Sequence, residues 1–247
     1  MNHKVSIIIP YFKNIRYIDQ SISSAINQTY KNLEIILIYD DVDKKDFLKL
    51  TKKYKKYKNI SFLINKKNLG AGPSRNRGLR VCKGKFIAFL DADDYWKKNK
   101  LKLQIDHMLK NSLDFSFTSY EILKNNKKKI HEVKEFYSYN DLIKKCDIGL
   151  STVVMSSKIL KYGKFPNIKT QEDYALWLKY SKKGLRLGGI QNPMSIWRDT
   201  PNSLSKDIYQ KLHDAFLVYY KFEKLGFYKS VWNVLILSIN KIKKRLN

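Results

Sequence analysis

Residues 86–94 read Phe-Ile-Ala-Phe-Leu-Asp-Ala-Asp-Asp, so five apolar residues run directly into a cluster of carboxylates. A short apolar run bounded in this way predicts a strand that is buried on both faces. Earlier runs of the same character lie at residues 5–10, 33–39 and 60–64, and amphipathic segments separate them. Buried strands that alternate with helical segments predict an α/β fold in which helices cover both faces of a mostly parallel sheet.

The segments between these strands predict helices. In residues 15–27 the apolar positions Ile15, Ile18 and Ile22 recur at intervals of three and four, which places them on one helical face. Pro73 would open another helix, because proline is favoured in a helix's first turn. Helices are therefore predicted over residues 15–27, 44–57, 73–82 and 98–111.

The second half of the chain is less regular. It predicts strands at residues 115–122, 151–155 and 194–197, and helices at residues 139–145, 172–183, 207–225 and 228–246. The lysine-rich residues 124–129 are predicted to form a loop, and Asn140 to cap the helix at residues 139–145. The simplest division is one domain over residues 1–205 with a C-terminal helical appendage over residues 206–247.

The composition favours a folded protein with anionic partners. The chain has 247 residues, of which 43% are hydrophobic, and a net charge of +27 from 49 Lys and Arg against 22 Asp and Glu. Such a charge favours nucleic acid, anionic lipid or phosphorylated substrates, although a general lysine enrichment of the surface is the alternative. The few acids cluster at residues 40–46, 91–94 and 172–173.

Cysteine content and hydropathy indicate the compartment. Cys82 and Cys146 match no zinc or redox spacing, which predicts two free thiols in a reducing environment. The apolar run at residues 5–10 ends in proline, so it does not resemble a signal peptide. Since no run approaches the roughly 18 apolar residues that cross a bilayer, we expect a soluble or peripheral protein in the cytoplasm.

Asp91, Asp93 and Asp94 follow the fourth predicted strand, and ligands of open α/β sheets bind at the carboxyl ends of the strands. Carboxylates so close together repel one another unless a positive charge lies between them. A divalent cation that also binds phosphate oxygens would meet that need, because hard cations prefer oxygen ligands. The alternative is a helix N-terminus capped by Asp93 or Asp94. The position after a buried strand, in a chain short of acids, favours the cation.

Two further features carry candidate site residues. The third strand leads into Asn68-Leu-Gly-Ala-Gly-Pro-Ser-Arg-Asn-Arg-Gly78, where Arg75 and Arg77 would favour an anionic group at a helix start. Solvated arginines are the alternative, and the segment matches neither a dinucleotide fingerprint nor a Walker loop. Glu172 and Asp173 open a predicted helix, where one carboxylate could be a general base or both could serve as capping groups.

Taken together, these stretches resemble the inverting glycosyltransferases of family 2, which have the GT-A fold. The resemblance rests on four stretches in the family's order, VSIIIPYFKN at residues 5–14, SISSAINQTY at residues 21–30, the glycine-rich residues 68–78 and FLDADD at residues 89–94. It continues more loosely through residues 172–173 and 197–205. The second half most resembles transferases that build bacterial capsule, O-antigen or teichuronic-acid chains.

The resemblance implies a role for each candidate residue. Pro10 and Tyr11 would line the base and ribose pocket, Asp41 would accept a hydrogen bond from the base, and Arg198 would lie near the diphosphate or the acceptor. The donor-binding residues are then Pro10, Tyr11, Asp41, Asn68, Arg75, Asp91, Asp93 and Arg198. The metal ligands are Asp93 and Asp94, and the general base is Asp173, with Glu172 as the alternative.

The resemblance also implies a reaction. A nucleotide-diphosphate sugar, with a UDP-sugar as the leading choice, would give its sugar to a hydroxyl of a growing glycan in one displacement with inversion. Mn²⁺ or Mg²⁺ would assist, the acceptor would be lipid-linked, and nucleic acid would not be a partner. Two departures stand out. Residues 39–45 differ from the family's usual loop, and Thr200 stands where many relatives have a histidine, so the protein alone would hold the metal weakly.

Two other functions are alternatives to a glycosyltransferase. The charge of +27 and an aromatic content of 13% would suit a nucleic-acid-binding protein, which would have no use for the carboxylates at residues 91–94. The second alternative is an inactive relative of these transferases that serves only as a scaffold in an assembly complex.

The C-terminal segment carries an apolar stripe with basic residues beside it. Trp232, Leu235, Ile239, Ile242 and Leu246 recur at helical intervals, and Lys241, Lys243, Lys244 and Arg245 crowd the end. This pattern predicts either an interfacial helix that binds the anionic inner face of the cell membrane or an ordinary helix that packs its stripe on the domain.

Overall fold

The computed structural model describes residues 3–200 and 207–246, with side chains described as far as residue 240. Within these residues the strands are β1 (Val5–Tyr11), β2 (Leu33–Tyr39), β3 (Ile60–Ile64), β4 (Phe86–Phe89), β5 (Tyr95–Trp96), β6 (Phe115–Lys124), β7 (Lys127–His131), β8 (Val154–Ser156) and β9 (Leu187–Arg198). The α-helices are α1 (Ile15–Ile26), α2 (Lys45–Tyr54), α3 (Ala71–Val81), α4 (Lys100–Lys110), α5 (Tyr139–Leu142), α6 (Glu172–Lys182), α7 (Ile208–Leu217) and α8 (Phe227–Leu246).

All the strands belong to one sheet, in the order β3-β2-β1-β4-β8-β6-β9-β5, with β7 paired to β6. The first four strands are parallel to one another, as the alternation of strands and helices predicts. The second half makes the sheet mixed, because β8 runs antiparallel to both β4 and β6 while β9 runs parallel to β6. The strand order reverses direction between β1 and β4, which is where such sheets bind ligands.

Helices cover both faces of the sheet. Alternate residues of β1 enter different cores, because successive side chains of a strand point to opposite faces. Ile7 and Ile9 pack with α1 and α4, whereas Ile8 packs with α3 and α6. Helix α3 lies very close to the sheet at Gly78, where an added Cβ would come within 2.8 Å of Ile8 and 3.0 Å of Ile38.

Several details of the second half differ from the sequence-based expectation. Helix α5 is capped by Ser138, whose hydroxyl accepts from the Asp141 N–H, and not by Asn140. Residues 124–129 are not a loop, because they end β6 and turn into β7. Strand β9 has 12 residues, many more than the predicted 194–197. The helix predicted over residues 207–225 ends at Leu217 and continues as a π-helical turn at Val218–Phe222.

The C-terminal helices pack on α5 and α6 through a different face from the predicted stripe. Val234 and Leu237 contact the core, while Trp232, Leu235 and Ile239 are at least half exposed. The alternative that the stripe packs on the domain is therefore wrong for these three residues, and the side chains of Ile242 and Leu246 lie outside the description. The boundary predicted between residues 205 and 206 also falls outside the described residues. No helix among the described residues is long and apolar enough to cross a membrane.

Candidate active site

The ends of β2 and β3 are joined by a buried carboxylate. Asp40 accepts hydrogen bonds from Asn65 Nδ2 at 2.5 Å and from the Leu69 and Gly70 N–H groups, both at 2.8 Å. It therefore occupies the free amides in front of α3, which would otherwise bind an anion. Asn68 belongs to the same unit, because its Nδ2 donates to the Asp40 carbonyl at 3.0 Å. Sequence reasoning did not single out Asp40, since only the three-dimensional pairing distinguishes it from Asp41.

The neighbouring residues predicted for the nucleotide lie at this edge. Asp41 is buried, and its carboxylate accepts only a long 3.3 Å bond from the Asp43 N–H among the bonds described. Pro10 is half-buried, and Tyr11 is fully buried. The Tyr11 ring stacks on Tyr39 with centroids 5.0 Å apart, and its hydroxyl donates to Asp46 at 2.6 Å. Of these residues Asp41 has the most unused hydrogen-bonding capacity.

Arg75 joins the end of β4 to the start of α6. Its guanidinium donates to Asp91 at 2.7 Å and to Glu172 at 2.5 Å, and it lies 5.6 Å from the Phe165 ring centre. Arg75 is buried, so the alternative of a solvated arginine is wrong for this residue. Gly72 makes the close approach possible, because an added Cβ would stand 3.2 Å from Glu172 Cγ. The donor-side carboxylate and the Glu172–Asp173 pair thus form one cluster.

The two remaining carboxylates of the 91–94 cluster have different surroundings. Asp94 is 1% exposed, and its oxygens accept from Ser151 Oγ at 2.6 Å and from the Arg198 N–H at 3.1 Å. Asp93 is half-buried, and one of its oxygens accepts from Thr200 at 3.3 Å. Neither residue caps a helix, because β5 follows directly and α4 begins only at Lys100. The capping alternative is therefore wrong here.

Burial and mutual repulsion raise the pKa values of both carboxyl groups. Desolvation and then the charge of Asp91 raise the pKa of Asp93 to about 6. Desolvation and then the charge of Asp93 raise the pKa of Asp94 well above its usual value. The surroundings therefore do not fully balance the negative charge of these carboxylates, and a bound cation would stabilise their ionised forms.

Asp173 has the properties of a general base. Burial and then the charge of Glu172 raise its pKa to about 7, near the pH at which a base is most effective. Its carboxylate accepts from the Tyr174 N–H at 2.7 Å, which fixes it on the first turn of α6. Gln171, just before the helix, adopts a left-handed conformation with φ of 61°, a type of strain often found beside functional sites.

Arg198 is held among side chains that the sequence did not identify. Its guanidinium donates to the Asp93 carbonyl and to Gln20 Oε1, and lies 4.9 Å and 4.6 Å from the ring centres of Tyr17 and Tyr95. Arg198 therefore lies beside the 91–94 cluster. Gln20 and Tyr17 carried no signal of their own, although both belong to the α1 segment that precedes the family-like stretch at residues 21–30.

The cluster fits a metal only as an open site. Among the described residues, no group of three or more His, Cys, Asp or Glu side chains could hold a metal ion. Mg²⁺ is commonly bound by one or two carboxylates together with substrate phosphates and waters. Asp93 suits such a site, because its raised pKa reports a carboxylate that lacks a balancing charge. Asp94 is less suited, since both its oxygens already accept hydrogen bonds.

Known proteins resemble this chain over most of its length. Residues 6–165 match the family described as glycosyl transferase family 2. TuaG of Bacillus subtilis (strain 168), named for teichuronic acid biosynthesis, is 32% identical over 98% of this chain and 97% of its own. WfgD of Escherichia coli, named as a UDP-Glc:alpha-D-GlcNAc-diphosphoundecaprenol beta-1,3-glucosyltransferase, is 40% identical over 73% of this chain and 71% of its own.

A solved structure resembles the fold. The crystal structure of S. aureus TarS residues 1–349 in complex with UDP-GlcNAc superposes with a TM-score of 0.75 and 21% identity, over 89% of this chain and 65% of that one. The predicted GT-A fold is confirmed by this similarity. The fold is therefore an α/β architecture of the GT-A type. The chain belongs to glycosyl transferase family 2 and is a glycosyltransferase.

Proposed function

We propose that this enzyme moves a sugar from a nucleotide-diphosphate sugar, preferably a UDP-sugar, to a hydroxyl of a growing surface glycan with inversion at the anomeric carbon. The observation that carries the proposal is the Arg75 bridge, which connects donor-side Asp91 to the α6 turn that bears Asp173. A donor bound at the β1–β4 edge would thereby have a base of pKa about 7 next to it.

The donor assignment has two kinds of support. WfgD is named for a UDP-glucose donor, and the TarS structure contains UDP-GlcNAc. In this chain Asp41 would accept a hydrogen bond from the base, and Pro10, Tyr11 and Asn68 would shape the pocket around it. Because Tyr11 is already buried against Tyr39, we assign it to the wall behind the base and not to a direct polar contact.

Mn²⁺ or Mg²⁺ would be bound by Asp93 and the donor diphosphate. Bound there, the cation would neutralise the charge that grows on the departing diphosphate. Asp94 is the second ligand that the sequence suggests, and its hydrogen bonds to Ser151 and Arg198 favour a supporting role instead. Arg198 lies beside Asp93 and would add positive charge near the diphosphate.

The base is assigned to Asp173. The acceptor oxygen would attack the anomeric carbon as the bond to the diphosphate oxygen breaks, and the acceptor proton would pass to the Asp173 carboxylate. Glu172 is the weaker candidate, because its carboxylate lies 2.5 Å from the Arg75 guanidinium and is already engaged in that ion pair. The name of WfgD specifies a diphosphoundecaprenol acceptor, which supports a lipid-linked acceptor and a peripheral location on the inner face of the membrane.

A thermal-shift screen tests the proposal. UDP-, GDP-, TDP- and CMP-sugars are each added with and without Mn²⁺, because a ligand that binds only the folded state raises the melting temperature. We expect the largest rise with a UDP-sugar plus Mn²⁺. No response to any donor would contradict the proposal, and a salt-sensitive response to an oligonucleotide instead would favour the nucleic-acid alternative. Release of UDP in the presence of acceptor then separates an enzyme from an inactive scaffold.

A further inference from the structure

Helices α7 and α8 present a large apolar surface to solvent. Tyr209 and Tyr228 are 88% and 87% exposed, and Trp232 is 63% exposed. Along α7 and α8 the exposed apolar residues recur at helical intervals, so each helix contributes one side. We call the surface the α7–α8 face and define it by Tyr209, Leu212, Tyr228, Trp232, Leu235 and Ile239. Contiguous exposed apolar patches are uncommon on monomeric proteins and indicate interaction sites.

The two helices form one continuous surface, because their aromatic rings touch. Phe216 of α7 stacks on Tyr220 with centroids 5.3 Å apart and meets Phe227 of α8 edge-on at 5.6 Å. The opposite sides of the same segments are already used. Val218 and Tyr219 are fully buried in the core, and Tyr219 shares a 2.9 Å hydrogen bond with Tyr174 of α6. The α7–α8 face is thus rigidly attached to the domain and is not its packing side.

The charge around this face is positive. Residues 224–247 contain five lysines and one arginine and no Asp or Glu. Of the acids that precede them, Asp214 and Glu223 are buried, whereas Asp207 is exposed and caps α7 by accepting from the Gln210 N–H. Asp214 accepts from Thr170, and Glu223 pairs with Lys182 at 3.0 Å while it accepts from Tyr139. The described part of α8 contains no acidic residue that would offset the charges of the exposed Lys221, Lys224 and Lys229.

The face begins next to the candidate base. Asp214 of α7 accepts from both the N–H and the hydroxyl of Thr170, each at 2.8 Å, and Gln171 Nε2 donates to the Lys211 carbonyl at 3.1 Å. These bonds connect α7 to the residues that immediately precede Asp173. A surface bound by α7 would consequently lie near the side from which an acceptor hydroxyl reaches the base.

We propose that the α7–α8 face binds the headgroup region of an anionic lipid bilayer. Trp and Tyr next to Lys suit that region, because their rings enter the interface while the ammonium groups meet lipid phosphates. A second copy of the chain fits less well, since a two-fold contact would bring two basic surfaces together. The inference deepens the proposed function, because it would bring a lipid-linked acceptor to Asp173, but the binding itself requires no donor.

The test is co-sedimentation of the full chain with vesicles. Vesicles of phosphatidylcholine alone are compared with vesicles that also contain phosphatidylglycerol, at low and at physiological salt. We expect binding to the anionic vesicles only, weakened by salt because the charges are exposed. Lys224→Gln and Lys229→Gln should each weaken it by roughly fivefold, the equivalent of about 1 kcal/mol for a basic residue near an anionic surface.

Matched apolar variants distinguish this face from general stickiness. Tyr209→Ser/Leu212→Ser on α7 and Tyr228→Ser/Trp232→Ser on α8 should each lower the partition coefficient by roughly tenfold or more, since large apolar side chains no longer enter the interface. The control Leu48→Ser/Leu109→Ser removes two exposed leucines from α2 and α4 and should leave binding unchanged. Every variant should keep the wild-type melting temperature, because all these side chains are exposed.

Three results would overturn the proposal. They are equal binding to neutral and anionic vesicles, equal losses in the control variant, and a stable dimer by light scattering that the α8 variant dissociates without any vesicle binding. The donor thermal shift is measured on the same samples. If wild type binds vesicles but no nucleotide sugar stabilises it, the proposed function fails while the membrane surface stands.

Discussion

At the scale of single residues, the chemistry depends on how one positively charged side chain, that of Arg75, is shared among several carboxylates. Arg75 balances Asp91 and Glu172, which leaves Asp173 and Asp93 with raised pKa values of about 7 and about 6. Two carboxyl groups whose environments differ in this way can take different roles, one as a base and one as a ligand. Each role predicts its own mutational signature.

Asp173→Asn should lower turnover by roughly 10²–10⁴-fold, the usual contribution of a general base, while donor affinity stays unchanged. In the wild type, kcat/KM should fall below about pH 7, because the protonated carboxyl group cannot accept the acceptor's proton. Turnover is measured as UDP release across pH 5–9, roughly the span over which a base of this pKa titrates. If Glu172→Gln causes the large loss and Asp173→Asn does not, the base has been assigned to the wrong carboxylate.

The same raised pKa predicts a stability effect. The folded-state pKa of Asp173 lies above the unfolded value, so the ionised carboxylate destabilises the metal-free fold at high pH. Asp173→Asn should therefore be more stable than wild type at pH 8, and the difference should shrink as the pH falls from about 7 to about 4. Denaturant unfolding at several pH values measures it, and a constant difference would contradict the burial of this charge.

Glu172 has a role that differs from that of a base. Removing its charge should lower the pKa of Asp173, since that charge helps to raise it. Glu172→Gln can still accept a hydrogen bond from Arg75, so the acid limb of the pH–kcat/KM profile should move to lower pH with less than about a tenfold loss of activity at pH 8. Arg75→Met, which leaves the buried Glu172 and the half-buried Asp91 without their partner, is the disruptive comparison and should lose stability as well.

At the scale of elements, the first half of the molecule was more predictable than the second, although β6, α6 and α8 of the second half also lie where the sequence predicts them. Strands β1, β2 and β4 are buried runs and β3 is a half-buried apolar run, and amphipathic helices join them, so local periodicity is sufficient to identify them. Strands β5 and β7 are short or lysine-rich, and they exist because β9 and β6 supply their partners. The partner of β5 lies far away in sequence, so this pairing leaves no periodic signal. Strand β7 instead forms a hairpin with the end of β6, and its lysines, which are normal on an edge strand, conceal it in the sequence.

The residues of the candidate site were likewise identified only where local sequence distinguishes them. Asp91, Asp93 and Asp94 were identified because they follow a buried strand, and Arg75 because it follows a glycine-rich turn. Ser151, which accepts from the Asp91 N–H and donates to Asp94, was not identified, since it comes from a 3₁₀ turn about 60 residues away in sequence. Contacts of this kind depend on the fold as a whole.

Helix α3 offers a test of packing against the sheet. A glycine within a helix normally costs roughly 1 kcal/mol relative to alanine, yet Gly78→Ala should destabilise the protein by about 1–3 kcal/mol through overpacking. The reason is the 2.8 Å approach of the added Cβ to Ile8. Arg80→Ala on the exposed side of the same helix is the control and should change stability by less than about 0.5 kcal/mol. Stabilisation by Gly78→Ala would show that α3 has room to move.

At the scale of the whole molecule, the excess positive charge has two separable consequences. With a net charge of +27 the folded chain repels itself, and part of that repulsion is screened by simple salt. Nine of the 22 acids lie at residues 40–46, 91–94 and 172–173, so the metal-free protein combines a repulsive surface with a locally negative site. Stabilisation by salt screening and stabilisation by specific ligand binding should therefore depend differently on concentration. They should also respond differently to mutations in the site.

We expect the melting temperature to rise with NaCl up to about 0.15 M, where the screening length is roughly 8 Å. Mn²⁺ added with UDP should raise it further at concentrations too low to screen charge, because a specific complex stabilises only the folded state. Asp93→Ala should keep the NaCl response and lose the Mn²⁺ response. Asp94→Ala should instead lower the melting temperature at every condition, since Ser151 and the Arg198 N–H lose a buried acceptor at a cost of about 1–3 kcal/mol. If Asp93→Ala retains the full Mn²⁺-dependent rise, or a variant lacking both carboxylates still turns over normally, the metal does not bind at this edge of the sheet.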